Sequence, residues 1–549
     1  IREVLQTSDG KIWIATYKGL LEWNDGNFRH SLSSFNDRHS LPDNSVVSLF
    51  EDNQKGLWIG TWRGGLAYLN SFSNTFETYI HSPYENSICG NLVNTIAEDS
   101  TGKIWIGTDG HGLDCFDDQP KTFRHVPLTS DDQTAVTNIK CIYAGPNGDI
   151  WIGTFGKGIF LRKKGEQSFR PALLGNLNVY DLVSDNEGLW IASFNNGLYY
   201  YRYSDQSLKR YANKESDPAS LPSNFIRKLL LDASQNLWII SNAGVSIKPN
   251  GKGTFERLLI DRDETAGSVQ VYTITNGPDG KVWLGTDHGI LSLDSLRNIS
   301  RHPLLFNGKP VSVYGIVALG PEQMWLSSNF GIFSYNPATG SYLNYSTSDG
   351  LPGNLFSAGA LCHTTSGKIY FGGTTGMVAF DPGRMQLNPF NPNVYFSRIF
   401  INHKEVLPSQ ANSLLEKPLY EMEKLRLKPS QNSFSIEFVA LNYLNPQKNQ
   451  FRYRLKGFDQ NWVEAGNNAR ATYTNIPPGK YVFEVMACNN DGVWNREPAM
   501  LAITIPKPLL LSNVALTIYL LLLAALGWLV RRIIVYRSRL ERQIELERL

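Results

Sequence analysis

The sequence predicts an all-β chain: a seven-bladed β-propeller preceded by the last blades of another propeller, then an immunoglobulin-like β-sandwich and one membrane-spanning helix. Three observations carry that reading. A Trp-centred motif recurs through the first 380 residues at intervals in the forties. Shorter stretches after it alternate apolar and polar residues with period two. Near the C-terminus, 22 consecutive residues carry no charge.

The motif is a short apolar strand holding an aromatic residue, a small-residue turn, a Gly and a second apolar strand. Its copies begin at Trp13, Trp58, Trp105, Trp151, Trp190, Trp238, Trp283, Trp325 and Tyr370, so neighbours lie 39 to 48 residues apart. Such a period with four strand-like segments per unit is the propeller signature. The segments are β-branched, aromatic and interrupted by Gly, which excludes helical repeats of similar length. In one unit LVNTIAED reads as the innermost strand, KIWIGT as the second, LDCF as the third and TFRHV as the fourth. Nine copies exceed the four to eight blades of a closed ring. The last copy lacks a fourth strand, and FETYI at residues 76–80 can supply it. Residues 76–383 are therefore expected to close as one ring. Residues 1–75 would end a preceding propeller, and the Pro- and Asn-rich residues 384–391 would form a linker.

Residues 392–506 carry FSIEF, FRYRLKGF, YVFEVMA and LAITI, separated by Asn-Pro, Pro-Pro-Gly and Asn-Asp-Gly turns. This is how strands buried on one face read, and their number suits a sandwich. Pro506 and Pro508 make a short, stiff junction. Residues 509–530 follow, which as a helix reach about 33 Å against a hydrocarbon core of about 30 Å. Lys507 precedes this run, and Arg531, Arg532, Arg537 and Arg539 follow it. Excess basic charge marks the cytoplasmic side, so residues 531–549 are expected to start a cytoplasmic signalling helix. One span with a large outer region suits a sensor or an anchor, not a channel.

A net charge of +2 with no basic block away from the membrane excludes direct nucleic-acid binding by this segment. Cys89, Cys115, Cys141, Cys362 and Cys488 form no C-x-x-C pair, so neither a metal site nor a disulfide framework is expected. No Ser–His–Asp set, phosphate loop or paired carboxylates appear, and no catalytic residue is assigned. The opening IREVLQTSDGKIWIAT is already mid-repeat, and the closing helix stops early. The chain reads as a fragment at both ends.

At this point a family resemblance emerges. The repeats resemble the two-component-regulator propeller repeat. Residues 445–495 resemble the three-Y domain that follows such propellers. Its signature tyrosines would be Tyr453, Tyr473 and Tyr481, with Gly457, Phe458, Asp459, Trp462, Arg470, Pro478, Gly479, Asn489, Asp491, Gly492 and Trp494 completing the pattern. The domain order resembles that of hybrid two-component sensor histidine kinases of the Bacteroidetes. The resemblance implies a homodimer in the bacterial inner membrane, with a periplasmic input region that senses oligosaccharides and controls polysaccharide-utilisation genes. This chain has no phospho-acceptor helix, ATP lobe or receiver, so no cofactor is expected in it; ATP and Mg are implied only for a kinase. The alternatives are the same input joined to a helix-turn-helix regulator or nucleotide cyclase, a membrane-anchored propeller glycan hydrolase or lyase, and a structural adhesion arm.

Strand direction alternates within a blade, so the turn after W-I-G-T and the loop entering the innermost strand share one face. That face offers His111, Phe155, Lys157, Phe194, Asn195, Asn242, Asp287, His288, Asn329 and Phe330 from the turns. Tyr180, Tyr272 and Tyr314 stand near the starts of inner strands. Aromatic faces mixed with amides and charges suit sugars, and a lysine suits an acidic one. Asp9, Asp185, Asp232 and Asp279 loosely resemble sialidase Asp boxes but are expected to close hairpins as Asx-type turns. The three tyrosines are expected in the sandwich core and corners, and Arg452 and Arg454 on a solvated strand face.

Overall fold

The structure, a computed structural model, describes residues 1–34, 40–70, 72, 76–84, 86–258, 260, 269–408, 414–511 and 513–548. The chain divides into two compact units, residues 74–386 and residues 1–73 with 387–549.

In residues 74–386 each repeat folds into a four-stranded antiparallel sheet, as in Val93–Glu98, Ile104–Thr108, Leu113–Asp117 and Thr122–Val126. The innermost strands of the seven sheets begin at Val93, Ile139, Val179, Ile226, Val271, Val313 and Phe356. Each inner strand packs on the next, and the last packs on the first. The seventh sheet takes its fourth strand, Glu77–Tyr79, from within FETYI: Met377 pairs with Tyr79 and Ala379 with Glu77. Lys368 Nζ lies 2.9 Å from Glu77 and 3.0 Å from Asp118, so one ammonium ties the closing strand to the first sheet. The motif Trp packs toward the following sheet. Trp105, 1% exposed, shares a cluster with Ile139, Ile150 and Phe160.

The hairpin aspartates act as closures. Asp185 accepts the N–H groups of Glu187 and Gly188 on one oxygen and the Trp190 indole N–H on the other, at 2.9 Å. Asp232 holds Trp238 at 2.9 Å, Asp279 holds Trp283 at 3.5 Å, and Asp99 holds Trp105 at 2.8 Å. Asp9 accepts from Thr7 Oγ1 and the Lys11 N–H.

The other unit opens with the sheet of Glu3–Gln6, Ile12–Thr16, Gly19–Asn24 and Asn27–Ser31, then that of Val46–Glu51, Leu57–Thr61 and Leu66–Leu69. These sheets, read from sequence as the last blades of a preceding propeller, belong to the same compact unit as the sandwich. The Tyr443 ring lies 4.9 Å from Trp58 and 6.0 Å from Tyr68, and Phe72 meets Phe390 at 5.5 Å. Gln54 Nε2 donates to the Leu441 carbonyl at 2.5 Å.

The sandwich has two sheets. One runs Lys404–Glu405, Asn393–Ile401, Phe434–Leu441, Arg470–Tyr473; the other runs Lys424–Arg426, Ala499–Ile505, Gly479–Cys488, Gln450–Lys456, Val463–Gly466. Phe396, Phe438, Leu455, Phe483 and Ile503 fill one core between them. The tyrosines serve core and corners: Tyr473 donates to Asp459 at 2.7 Å, Tyr481 to the Pro477 carbonyl at 2.8 Å, and Tyr453 packs 6.1 Å from Tyr473. The reading of Arg452 and Arg454 as a solvated face is corrected. Arg452 lies over Trp494 and Trp462, and Arg454 lies over Trp462 and bonds Glu484 at 2.6 Å. Asn388, expected in the linker, is 2% exposed and bonds Asn442, Asn490 and Asp491.

After a 3-10 turn at Leu509–Leu511, an uninterrupted α-helix of 36 residues runs Asn513–Arg548. Its length, about 54 Å at 1.5 Å per residue, and its mean hydropathy of 2.1 over the most apolar window qualify it to cross a membrane.

Candidate functional site

Every inner strand of the 74–386 unit breaks register at the same place. Val93 pairs with Thr108 and Thr95 with Gly107, leaving Asn94 unopposed. Lys140, Tyr180, Arg227, Tyr272 and Tyr314 are skipped in the same way in the next five sheets. In the seventh, Phe356 pairs with Gly373 and Leu361 with Phe371, so residues 357–360 stand against the single residue Gly372. An extra residue of this kind is a β-bulge, which bends the strand and re-aims a side chain. The preceding residue is buried in each case (Val93, Ile139, Val179, Ile226, Val271, Val313 and Phe356).

The turn after the second strand closes on the same end. Asp109 N–H donates to Leu92, Phe155 to Asn138, Phe194 to Asn178, Asn242 to Phe225, Asp287 to Gln270, Asn329 to Ser312 and Thr374 to Leu355, at 2.9 to 3.3 Å. Bulges and turns therefore share one face.

There a cavity of about 350 Å³ is lined by Asn94, Lys140, Tyr180, Phe194, Arg227, Lys228, Tyr272, Ser357 and Ala358. These residues come from six different sheets, which places the cavity at the mouth of the central channel. Tyr180 and Phe194 stack at 4.7 Å and 19°, and Tyr272 meets Tyr314 edge-on at 5.1 Å. Lys140 Nζ is 2.9 Å from Asp109, and Lys228 Nζ is 3.3 Å from Asp181. Arg227 is exposed and has no ion pair among the described residues, so three cations face two carboxylates. Burial pushes the Tyr180 phenol up, with the Asp109 charge adding to it, and burial does the same at Tyr314. Both stay neutral donors at ordinary pH. Gly359, at φ +73°, gives the last bulge a left-handed backbone that other residues adopt only with strain, beside the end of the Lys228 side chain. The ring can stack on an apolar sugar face, hydrogen-bond hydroxyls and pair with an acidic substituent. Its two carboxylates, Asp109 and Asp181, are each paired with a lysine.

Of the residues singled out from sequence, Tyr180, Phe194 and Tyr272 line this cavity, and Tyr314 adjoins it through Tyr272. Phe155 lies 5.9 Å from Lys140 Nζ, at the edge. Lys157 bonds Asp132 at 2.6 Å in a separate cavity. His111 stands near His81, their rings 6.4 Å apart. Asn195 is exposed. Asn242 accepts from Ser223 Oγ at 2.6 Å, and Asn329 from the Ser312 N–H at 2.9 Å. His288 Nδ1 lies 3.4 Å from the Asp287 carboxylate. Phe330 packs on Phe306 beside the core. Sequence reasoning passed over Asn94, Lys140, Arg227, Lys228 and Ser357. Aligning the repeats on the buried first residue of each inner strand finds all but Lys228 at the next position. Away from the channel, Cys89, Asp114 and His125 bring a thiol, a carboxylate and an imidazole within 4.8 Å of one another.

Comparison with known proteins agrees with this architecture. The Y_Y_Y domain family matches residues 442–505, and the two component regulator propeller matches residues 40–63, 87–110 and 135–156. Histidine kinase P4 of Formosa agariphila is 25% identical over 510 residues, 90% of this chain and 37% of that protein. The chain thus spans little more than a third of this relative's length. The extracellular domain assigned to the hybrid two-component system BT3049 of B. thetaiotaomicron superposes with a TM-score of 0.77 at 25% identity, covering 92% of this chain and 68% of that one. The chain therefore carries two-component regulator propeller repeats, a Y_Y_Y domain and a membrane-type helix, and is related to a histidine kinase.

Proposed function

We propose that this chain is the ligand-sensing and signal-relay part of a sensor histidine kinase, and that its ligand is an oligosaccharide bound at the channel mouth. The supporting observation is the ring of bulged residues. One position, repeated in six of the seven sheets, carries Asn94, Lys140, Tyr180, Arg227, Tyr272 and Tyr314. A register break so regular serves to present side chains, and the side chains presented stack, donate and carry positive charge. The net positive mouth favours an oligosaccharide with acidic groups.

In this reading residues 1–506 are periplasmic and the helix lies in the bacterial inner membrane, with Arg531, Arg532, Arg537 and Arg539 on the cytoplasmic side. The protein works as a homodimer, and binding acts by favouring one dimer arrangement over another. ATP and Mg belong to the kinase of the whole protein, whose output is control of polysaccharide-utilisation genes.

Calorimetry of the chain in detergent against neutral and uronate-containing oligosaccharides tests this. A hit should be lost in Tyr180→Ala and in Arg227→Ala. If no oligosaccharide binds, or if both variants bind like the parent, the channel-mouth reading fails. Turnover of a bound glycan would instead favour an anchored hydrolase or lyase.

A further inference from the structure

We propose that Cys89, Asp114 and His125 form a binding site for a zinc-class divalent cation at the seam where the ring of sheets closes. This proposal is independent of the channel-mouth reading. Asp114 and His125 pair across the third and fourth strands of the first sheet, with His125 Nδ1 2.5 Å from Asp114 Oδ1. Cys89 lies in the stretch between the closing strand Glu77–Tyr79 and the first inner strand Val93–Glu98. Its N–H donates to the other Asp114 oxygen at 2.7 Å, and its Sγ is 3.4 Å from Thr108 Oγ1. The three donor atoms all lie within 4.8 Å of one another. Around tetrahedral zinc, with bonds of about 2.0–2.3 Å, donor atoms stand roughly 3.3–3.8 Å apart. Small side-chain rotations would bring the three donors to ligating distance of one ion beside exposed His125.

The repeat supplies its own control. The positions equivalent to Asp114 in the other six sheets are Phe160, Tyr199, Ser246, Leu291, Phe333 and Val378. None is charged, whereas Asp114 is an ionisable group at 0% exposure. A carboxylate is placed in such a core only against a partner that repays its lost hydration. A histidine alone could be that partner, but the thiol adds nothing to a carboxylate–imidazole pair. Sulfur, imidazole and carboxylate together suit zinc-class ions such as zinc and cobalt(II), whereas calcium and magnesium take oxygen donors. The bound ion would fasten the incoming chain to the first sheet.

The test uses the full chain in detergent, stripped with a chelator and titrated with Zn²⁺, and separately with Co²⁺, against a chromophoric competitor. The expected results are one ion per chain, a thiolate-to-cobalt charge-transfer band, and an unfolding temperature that rises with zinc. Cys89→Ser should remove the band, and both Cys89→Ser and His125→Gln should weaken zinc binding by about tenfold or more. No zinc binding, a cobalt spectrum without the thiolate band, or variants that bind zinc like the parent would overturn the proposal. The cobalt spectrum needs only the unmodified chain, so a variant that fails to fold leaves the outcome readable.

Discussion

The two ends of the same strands obey different rules. At the hairpin end, an aspartate clamps the motif tryptophan in four of the seven sheets of the ring unit: Asp99 with Trp105, Asp185 with Trp190, Asp232 with Trp238 and Asp279 with Trp283. At the channel end, a one-residue bulge recurs in six of the seven sheets while the residue it presents changes through Asn, Lys, Tyr, Arg, Tyr and Tyr. One end repeats its chemistry, and the other repeats only its geometry. The first is scaffold, held by burial; the second is a frame in which each position is free to specialise.

The largest test of that division is Trp105→Ala. It removes a side chain 1% exposed and leaves Asp99 without its indole donor. A loss of about 3–5 kcal/mol is expected, read as a lower urea midpoint. Asp185→Ala should cost less, about 1–3 kcal/mol, because it strands the Trp190 N–H and the Tyr200 hydroxyl without removing core volume. The same measurement checks it.

The ring closure offers a test by acid. Burial of Glu77 would raise its carboxyl, but the bonds from Lys368 and Tyr79 outweigh it and hold the group below its ordinary value. A depressed carboxylate stabilises the fold above its unfolded pKa, and the contribution is lost as pH falls through the folded one. Lys368→Met should therefore lower the unfolding midpoint at about pH 7, and the gap to the parent should narrow by about pH 3. A gap that stayed constant would remove the ion pair from the account of closure.

The smallest effect on stability belongs to the channel end. Arg227→Ala, at an exposed bulge, should change stability by no more than about 0.5 kcal/mol. Binding of a uronate oligosaccharide should nonetheless weaken by about tenfold or more, some 1.4 kcal/mol, in calorimetry. Equal effects on folding and binding would erase the distinction between the two ends.

Much of the scaffold was legible because its signals are local. Trp, Gly and β-branched residues at a fixed spacing announce strands and turns, and the unpaired last repeat pointed to FETYI for its missing edge. The ring of bulged residues was legible only in its aromatics. Tyr180, Tyr272 and Tyr314 stood out as residue types that recognise sugars, whereas Lys140 and Arg227 in the same register were passed over. Period-two reasoning has no way to register a bulge, which shifts the face by one residue without any marker in composition. Arg452 and Arg454 were misplaced for a related reason: period two marks the strand face but not the rings folded over it, Trp462 from the turn of the same hairpin over both and Trp494 over Arg452. Cys89, Asp114 and His125 meet across a seam between strands, so no motif spacing records them.

The C-terminal helix has a consequence of its own. It runs Asn513–Arg548 as 36 consecutive helical residues with no joint, so it conveys phase as well as distance. Each residue inserted near Arg532 would swing everything beyond it by about 100° while lengthening the rod by only about 1.5 Å. Serial insertions should therefore make any downstream response oscillate with the pitch of the helix, recovering near about four and again near seven added residues.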